Sequence, residues 1–160
     1  MKRIYFHLVL VMILSFSIFG NKFLPINEAR AEVEKGKVAQ QVFVQLGQGT
    51  NDLHAAIMAL KLSNGLQAKG AKVTLFLNLE AVRFADKRQV QNLVWGHTNG
   101  PSVQQLYDGF VGKGGSIMIC PMCAEAAGLD EKNLRKGAKI PKSEDEIISA
   151  ILNADKTLSY

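Results

Sequence analysis

Cysteine is scarce in this chain, with only Cys120 and Cys123 in 160 residues. That excludes a disulfide-stapled scaffold, because a bridge closing so small a loop removes little entropy from the unfolded chain. It also leaves half the thiolates of a four-cysteine zinc site. No basic stripe interleaved with aromatics runs through the sequence, so nucleic acid is not an expected partner. Internal repeats and low-complexity tracts are absent. So is an apolar run of the about 20 residues that a comfortable membrane span requires.

What is present begins with a leader. Lys2 and Arg3 precede an apolar run over residues 4–19, and a polar stretch then ends at Ala29-Arg30-Ala31, the small-x-small form of a cleavage site. Residues 1–31 read as a signal peptide, with an uncleaved amino-terminal anchor as the alternative. Either places the rest in the periplasm or outside the cell, touching membrane only through that segment if it stays attached. Residues 32–160 then make one domain, long enough to bury a core. Four of the 19 Lys+Arg and one of the 14 Asp+Glu lie in the leader, leaving 15 against 13 and a charge of +2 beyond it. Lys132, Arg135, Lys136, Lys139 and Lys142 cluster and read as a solvated loop.

Beyond a polar lead-in, Val42-Phe43-Val44-Gln45-Leu46 has the pattern of a buried strand, closed by the turn-rich Gly47-Gln48-Gly49-Thr50-Asn51. Asn51 or Thr50 is placed to cap a helix over residues 52–68 that stops at Gly70. Ala55, Met58, Ala59, Leu62 and Leu66 form one apolar face of that helix; Leu53, Ile57 and Leu60 form a second. Residues 71–77 read as a strand parallel to the first. Residues 78–95 predict a loop with some helix, and a turn follows at 96–101. Ser102 caps an amphipathic helix carrying Val103, Leu106, Tyr107 and Phe110. Residues 116–119 form a third strand that delivers Cys120, and Pro121 opens a short helix ending at Gly128. Ser143 and Glu146 have capping-box spacing for a last helix presenting Ile147, Ile148 and Ile151. A closing strand takes residues 157–160. Strands alternating with helices predict an open, mostly parallel α/β sheet.

In such sheets ligands gather where strands end and helices begin. Cys120 stands at such a junction, where open backbone amides and the helix dipole stabilise a thiolate. Cys120 is therefore the candidate nucleophile, and Cys123, one turn on, its helper. Asn51, Asp52 and His54 share that sheet edge if the first strand is central, and are candidate substrate contacts. Gly47-Gln48-Gly49 is explained by turn chemistry. His97 reads as a surface histidine, Trp95 and Phe84 as core, and Met58, Met118 and Met122 as packing.

Ile119-Cys120-Pro121-Met122-Cys123, followed by Ala124 and by Gly128-Leu129, resembles the cysteine segment of the DsrE/DsrF-like sulfur-relay family. The likeness extends to the first strand, its polar turn and Ala-rich helix, to Gly70-Ala71-Lys72-Val73, and to the tail from Ala154 to Tyr160. It implies a flavodoxin-like α/β subunit with helices on both faces of the sheet, assembled into trimers or hexamers. It further implies that Cys120 accepts sulfane sulfur as a persulfide and exchanges it with a donor or acceptor protein or a small sulfane-sulfur compound. No cofactor and no metal are implied. This chain departs in having a leader, whereas the characterised relays are cytoplasmic, and in having Ala127 where an arginine often precedes the glycine.

Two other readings use the same cysteines. Cys-Pro-Met-Cys looks like the redox motif of a thioredoxin-like oxidoreductase, although in that fold the motif lies near the start of the domain. Met118-x-Cys120-x-x-Cys123 has the spacing of a soft-metal loop for copper or zinc, which His54 or His97 would have to complete.

Overall fold

A computed structural model describes residues 39–96 and 99–160. The expected leader, the polar lead-in over residues 32–38 and His97 lie outside the described residues.

Five strands form one parallel sheet: β1 (Gln41–Leu46), β2 (Lys72–Leu77), β3 (Ser116–Ile119), β4 (Ala138–Lys139) and β5 (Lys156–Ser159), in the order β4-β3-β2-β1-β5. The chain steps outward from β1 to β4 and then returns to the other side of β1. It crosses by α1 (Leu53–Ala68), α2 (Val103–Gly112), α3 (Pro121–Ala126) and α4 (Glu144–Leu152). Alternation along the strands divides the core. Val44, Leu75, Leu77, Ile117 and Ile119 bury one face under α1 and α2. Phe43, Phe76 and Met118 face the other way, against Ile147 and Ala150 of α4. Helices thus cover both faces, and the fold is the flavodoxin-like α/β arrangement expected.

Several local expectations are corrected. Asp52, not Asn51 or Thr50, caps α1; its carboxylate accepts from Ala55 N at 3.0 Å, and residues 50–52 wind as a 3₁₀ turn instead. The buried face of α1 is Ala56, Ile57, Ala59 and Leu60, which draws Ala59 from one of the two apolar faces and Ile57 and Leu60 from the other. Ser63 joins it because its hydroxyl is satisfied by Ala59 O. Met58 is left exposed. Ser102 does cap α2, in a reciprocal box with Gln105. Ser143 makes no such box: Glu146 accepts instead from Lys142 N and pairs with Lys139, which holds its carboxyl below the ordinary range. Of the apolar residues expected to bury α4, Ile148 and Ile151 remain exposed.

The basic cluster is not simply a solvated loop. Lys139 belongs to β4, and Arg135 is largely enclosed, with its guanidinium 3.9 Å over the Tyr107 ring. Arg135 donates to Gln91 Oε1, Phe84 O and Asp108 Oδ1. Lys87 N also bonds Asn133 O, and Arg135 N bonds Ala85 O at 2.7 Å. The segment after α3 therefore straps down the 3₁₀ turn Leu79–Ala85 that follows β2.

Candidate active site at Cys120 and Cys123

β3 ends at Ile119, and Cys120 becomes the N-cap of α3 because Pro121, with its fixed φ and no N–H to satisfy, fits the first helical position. Cys120 N still bonds Leu77 O at 2.9 Å, so the sheet fixes the cysteine before the helix starts. Its Sγ accepts from Cys123 N at 3.4 Å. Six residues on, the helix stops: Gly128 has φ +66, Gly128 N bonds Glu125 O, and Leu129 N bonds Ala124 O at 2.8 Å. The spacing from Cys120 to Gly128 is thus one short helix plus the left-handed residue that ends it.

Cys123 faces a different donor. Its Sγ accepts from Leu79 N at 3.2 Å. Leu79 has φ 45, the sole non-glycine at positive φ among the described residues, and its side chain is 64% exposed. Such a conformation costs about 1–3 kcal/mol, and burial of the leucine does not offset it. The turn is held from outside by Arg135 and by Gly49, where an added Cβ would come 2.8 Å from Glu80 O.

A cavity of about 250 Å³ opens beside Cys123, walled by Leu79, Glu80, Arg83, Met122 and Ala126. Arg83 Nε bonds Glu80 across it. Met122, expected as packing, is 76% exposed here, whereas Met118 is buried under α4. A larger cavity of about 710 Å³ lies at the opposite edge of the sheet, among the strand starts and Lys72, Lys113 and Asn153. It is remote from the thiols, so its size does not make it the reactive site.

Burial pushes the Cys120 thiol above its ordinary value of 9.0, and the hydrogen-bonded Cys123 side chain adds to this; the amides of Cys123 and Met122 pull the other way. The expected depression of this thiol is therefore outweighed in the resting protein. The amides are in place, but Cys120 is also half-buried against Phe43, Phe76 and Met118.

The other candidate residues have local work. Asn51 accepts from Gly49 N and donates to Gln48 Oε1, Asp52 caps α1, and the His54 ring stacks on Trp95 at 3.9 Å. Trp95, expected in the core, is 45% exposed; Phe84 is buried as expected. Among the described residues, no hydrogen bond or ion pair joins Asn51, Asp52 or His54 to either cysteine. Likewise, no group of three or more His, Cys, Asp or Glu gathers there for a metal. Sequence reasoning missed Leu79 and Asn78, both assigned to an irregular stretch.

The sequence profile of the DsrE/DsrF-like family matches residues 40–160, the whole sheet and both cysteines. The chain belongs to this family. An uncharacterized protein of Methanocaldococcus jannaschii is 25% identical over 117 residues, covering 72% of this chain and 42% of that protein. The chain thus spans less than half of that relative. Among solved structures, the DsrE/DsrF-like fold is shared with the ychN protein of E. coli at TM-score 0.63 and 22% identity, covering 77% of this chain and 100% of the other. A protein of unknown function from Methanobacterium thermoautotrophicum gives TM-score 0.56 and 12% identity, with 77% and 100% coverage. These likenesses establish the fold, and the family match places the chain among DsrE/DsrF-like proteins.

Proposed function

We propose that this protein is an exported sulfur carrier that holds sulfane sulfur as a persulfide on Cys120, with Cys123 assisting. The Cys120 thiolate attacks the terminal sulfur of a donor R–S–S⁻; the donor's S–S bond breaks, a new one forms, and the electron pair leaves on R–S⁻. An acceptor thiolate then takes the outer sulfur and Cys120 departs as thiolate. Alternatively Cys123 attacks the inner sulfur, expels sulfide and leaves a Cys120–Cys123 disulfide for a reducing thiol to reopen.

One observation supports this above others. Each sulfur sits at the carboxyl edge of the sheet with a backbone amide directed at it, Cys123 N on Cys120 and Leu79 N on Cys123. Fixed amides favour sulfur anions, whether thiolate or persulfide. The cavity at Cys123 gives a small donor or an acceptor side chain a way in. Residues 1–31 support export. Exposed Ile148, Ile151 and Leu152 on α4 support assembly into a trimer or hexamer, which light scattering on the purified protein checks.

The test is to incubate reduced protein with polysulfide, remove the excess, and weigh it intact. A stable gain of one sulfur that Cys120→Ser abolishes is expected. No gain in the wild type, or an equal gain without Cys120, overturns the reading. The contact between the two thiols also favours a dithiol oxidoreductase. That reading takes over if the pair instead forms a stable disulfide that exchanges with a model substrate.

A further inference from the structure

Three adjacent strands end in one row. Leu46 pairs with Leu77 and Leu77 with Ile119, so the next residues, Gly47, Asn78 and Cys120, stand side by side. The ladder continues through them: Asn78 N bonds Leu46 O at 3.0 Å and Cys120 N bonds Leu77 O at 2.9 Å. Alternation puts this row on the face of Phe76 and Met118, and Cys120 does pack against that cluster.

The Asn78 carboxamide has a definite sense. Its Oδ1 lies 3.3 Å from where a Cβ on Gly47 would sit, so the carbonyl arm is turned toward β1. β1 and β3 flank β2 on opposite sides. The amino arm, Nδ2, is therefore turned toward β3, where Cys120 ends. Oδ1 is shut off from solvent with no hydrogen-bond partner, and Nδ2 donates to nothing among the described residues. A buried carbonyl left unpaired is rare and calls for an explanation. This orientation gains the resting protein no hydrogen bond.

Neighbouring strands lie about 4.8 Å apart, and the bare Cys120 Sγ makes no hydrogen bond with the carboxamide. A second sulfur on Cys120 extends about 2 Å beyond the first, enough to bring a terminal sulfur within reach of Nδ2. We propose that Asn78 is the side chain that holds the carried sulfur, its Nδ2 donating to the terminal sulfur anion of the Cys120 persulfide. This assignment rests on the carrier reading above and gives Asn78 a role in the loaded state alone. Gly47 is part of the device, since any side chain there crowds the carbonyl arm.

The experiment compares wild type, Asn78→Ala and Asn78→Asp after loading with polysulfide and desalting, following loss of the sulfur by intact mass. In parallel, the unloaded proteins, each in a Cys123→Ser background, are alkylated at Cys120 with iodoacetamide. Among the described residues, Cys123 is the one titratable neighbour that bears on Cys120, so the background isolates the site. Asn78→Ala should lose sulfur about tenfold faster, the effect of one hydrogen bond to a charged group, with its unloaded alkylation unchanged. Asn78→Asp, nearly isosteric, should lose sulfur at least as fast because it brings a like charge; it decides the matter if the alanine variant does not fold. Equal retention in all three overturns the assignment while leaving the carrier reading intact. Alkylation altered as much as retention in Asn78→Ala shows a structural role only, and also overturns it. A wild type that takes up no sulfur is a different result, and removes the carrier reading together with this one.

Discussion

Cys120 is held where ionisation meets resistance. The strand that delivers it also packs it against Phe43, Phe76 and Met118, and burial together with the neighbouring Cys123 thiol outweighs the two amides at the start of α3. The consequence is a thiol that reacts slowly at neutral pH and faster as alkali rises. In the wild-type protein, alkylation of Cys120, located by fragmenting the peptide, should climb with pH to a midpoint above the ordinary 9.0, read by rate against pH; a midpoint well below that value contradicts the account. The position of this residue between a strand and a helix was readable from chain order: an apolar run, a cysteine, a proline and a glycine eight positions on. Its environment was not. Neither periodicity nor spacing shows which side chains from other strands stand next to a strand end, so Asn78 and Leu79 went unnoticed. Arg135 was misjudged for the same reason: a basic residue in a basic stretch gives no sign that Tyr107 and Gln91 await it.

Among the elements, the turn Leu79–Ala85 carries the most consequence. It puts an amide on Cys123, and it is clamped by Gly49 on one side and by the strap after α3 on the other. Asp86 secures the lower end. Its buried carboxylate takes both Nε and Nη2 of Arg88, and Arg88 reaches on to Gly128 O, the stop of α3. Arg88 holds the Asp86 carboxyl below its ordinary 3.8, against the opposing effect of burial. A carboxyl depressed by folding contributes stability above its unfolded pKa, and that stability is lost as pH falls through the folded one. Asp86→Asn should therefore lower the melting temperature at pH 7, by a deficit that shrinks as pH falls below the ordinary 3.8. A deficit unchanged across that fall shows that the ion pair is not what stabilises the turn. Helix limits were read well where capping residues were decisive, as at Ser102 and Gly128. They were read poorly where two side chains competed, as at Asp52, and where Glu146 was drawn away to Lys139 and Lys142 N.

At the scale of the molecule, the sheet order explains the site. Because β1, β2 and β3 are neighbours, Gly47, Asn78 and Cys120 end in one row, and the turn after β2 reaches the helix after β3. The alternation of strands and helices made the parallel sheet legible. It did not give the order, and β4 is too short to show any pattern. Membership in the DsrE/DsrF-like family fits the layout, and at the carboxyl edge a backbone amide is directed at each cysteine sulfur. The most direct test is to load the wild-type protein with sulfur, trap it by alkylation, and fragment the peptide spanning both cysteines in a mass spectrometer. The extra sulfur should travel with Cys120. Its appearance on Cys123 alone, with Cys120 bare, would contradict the account.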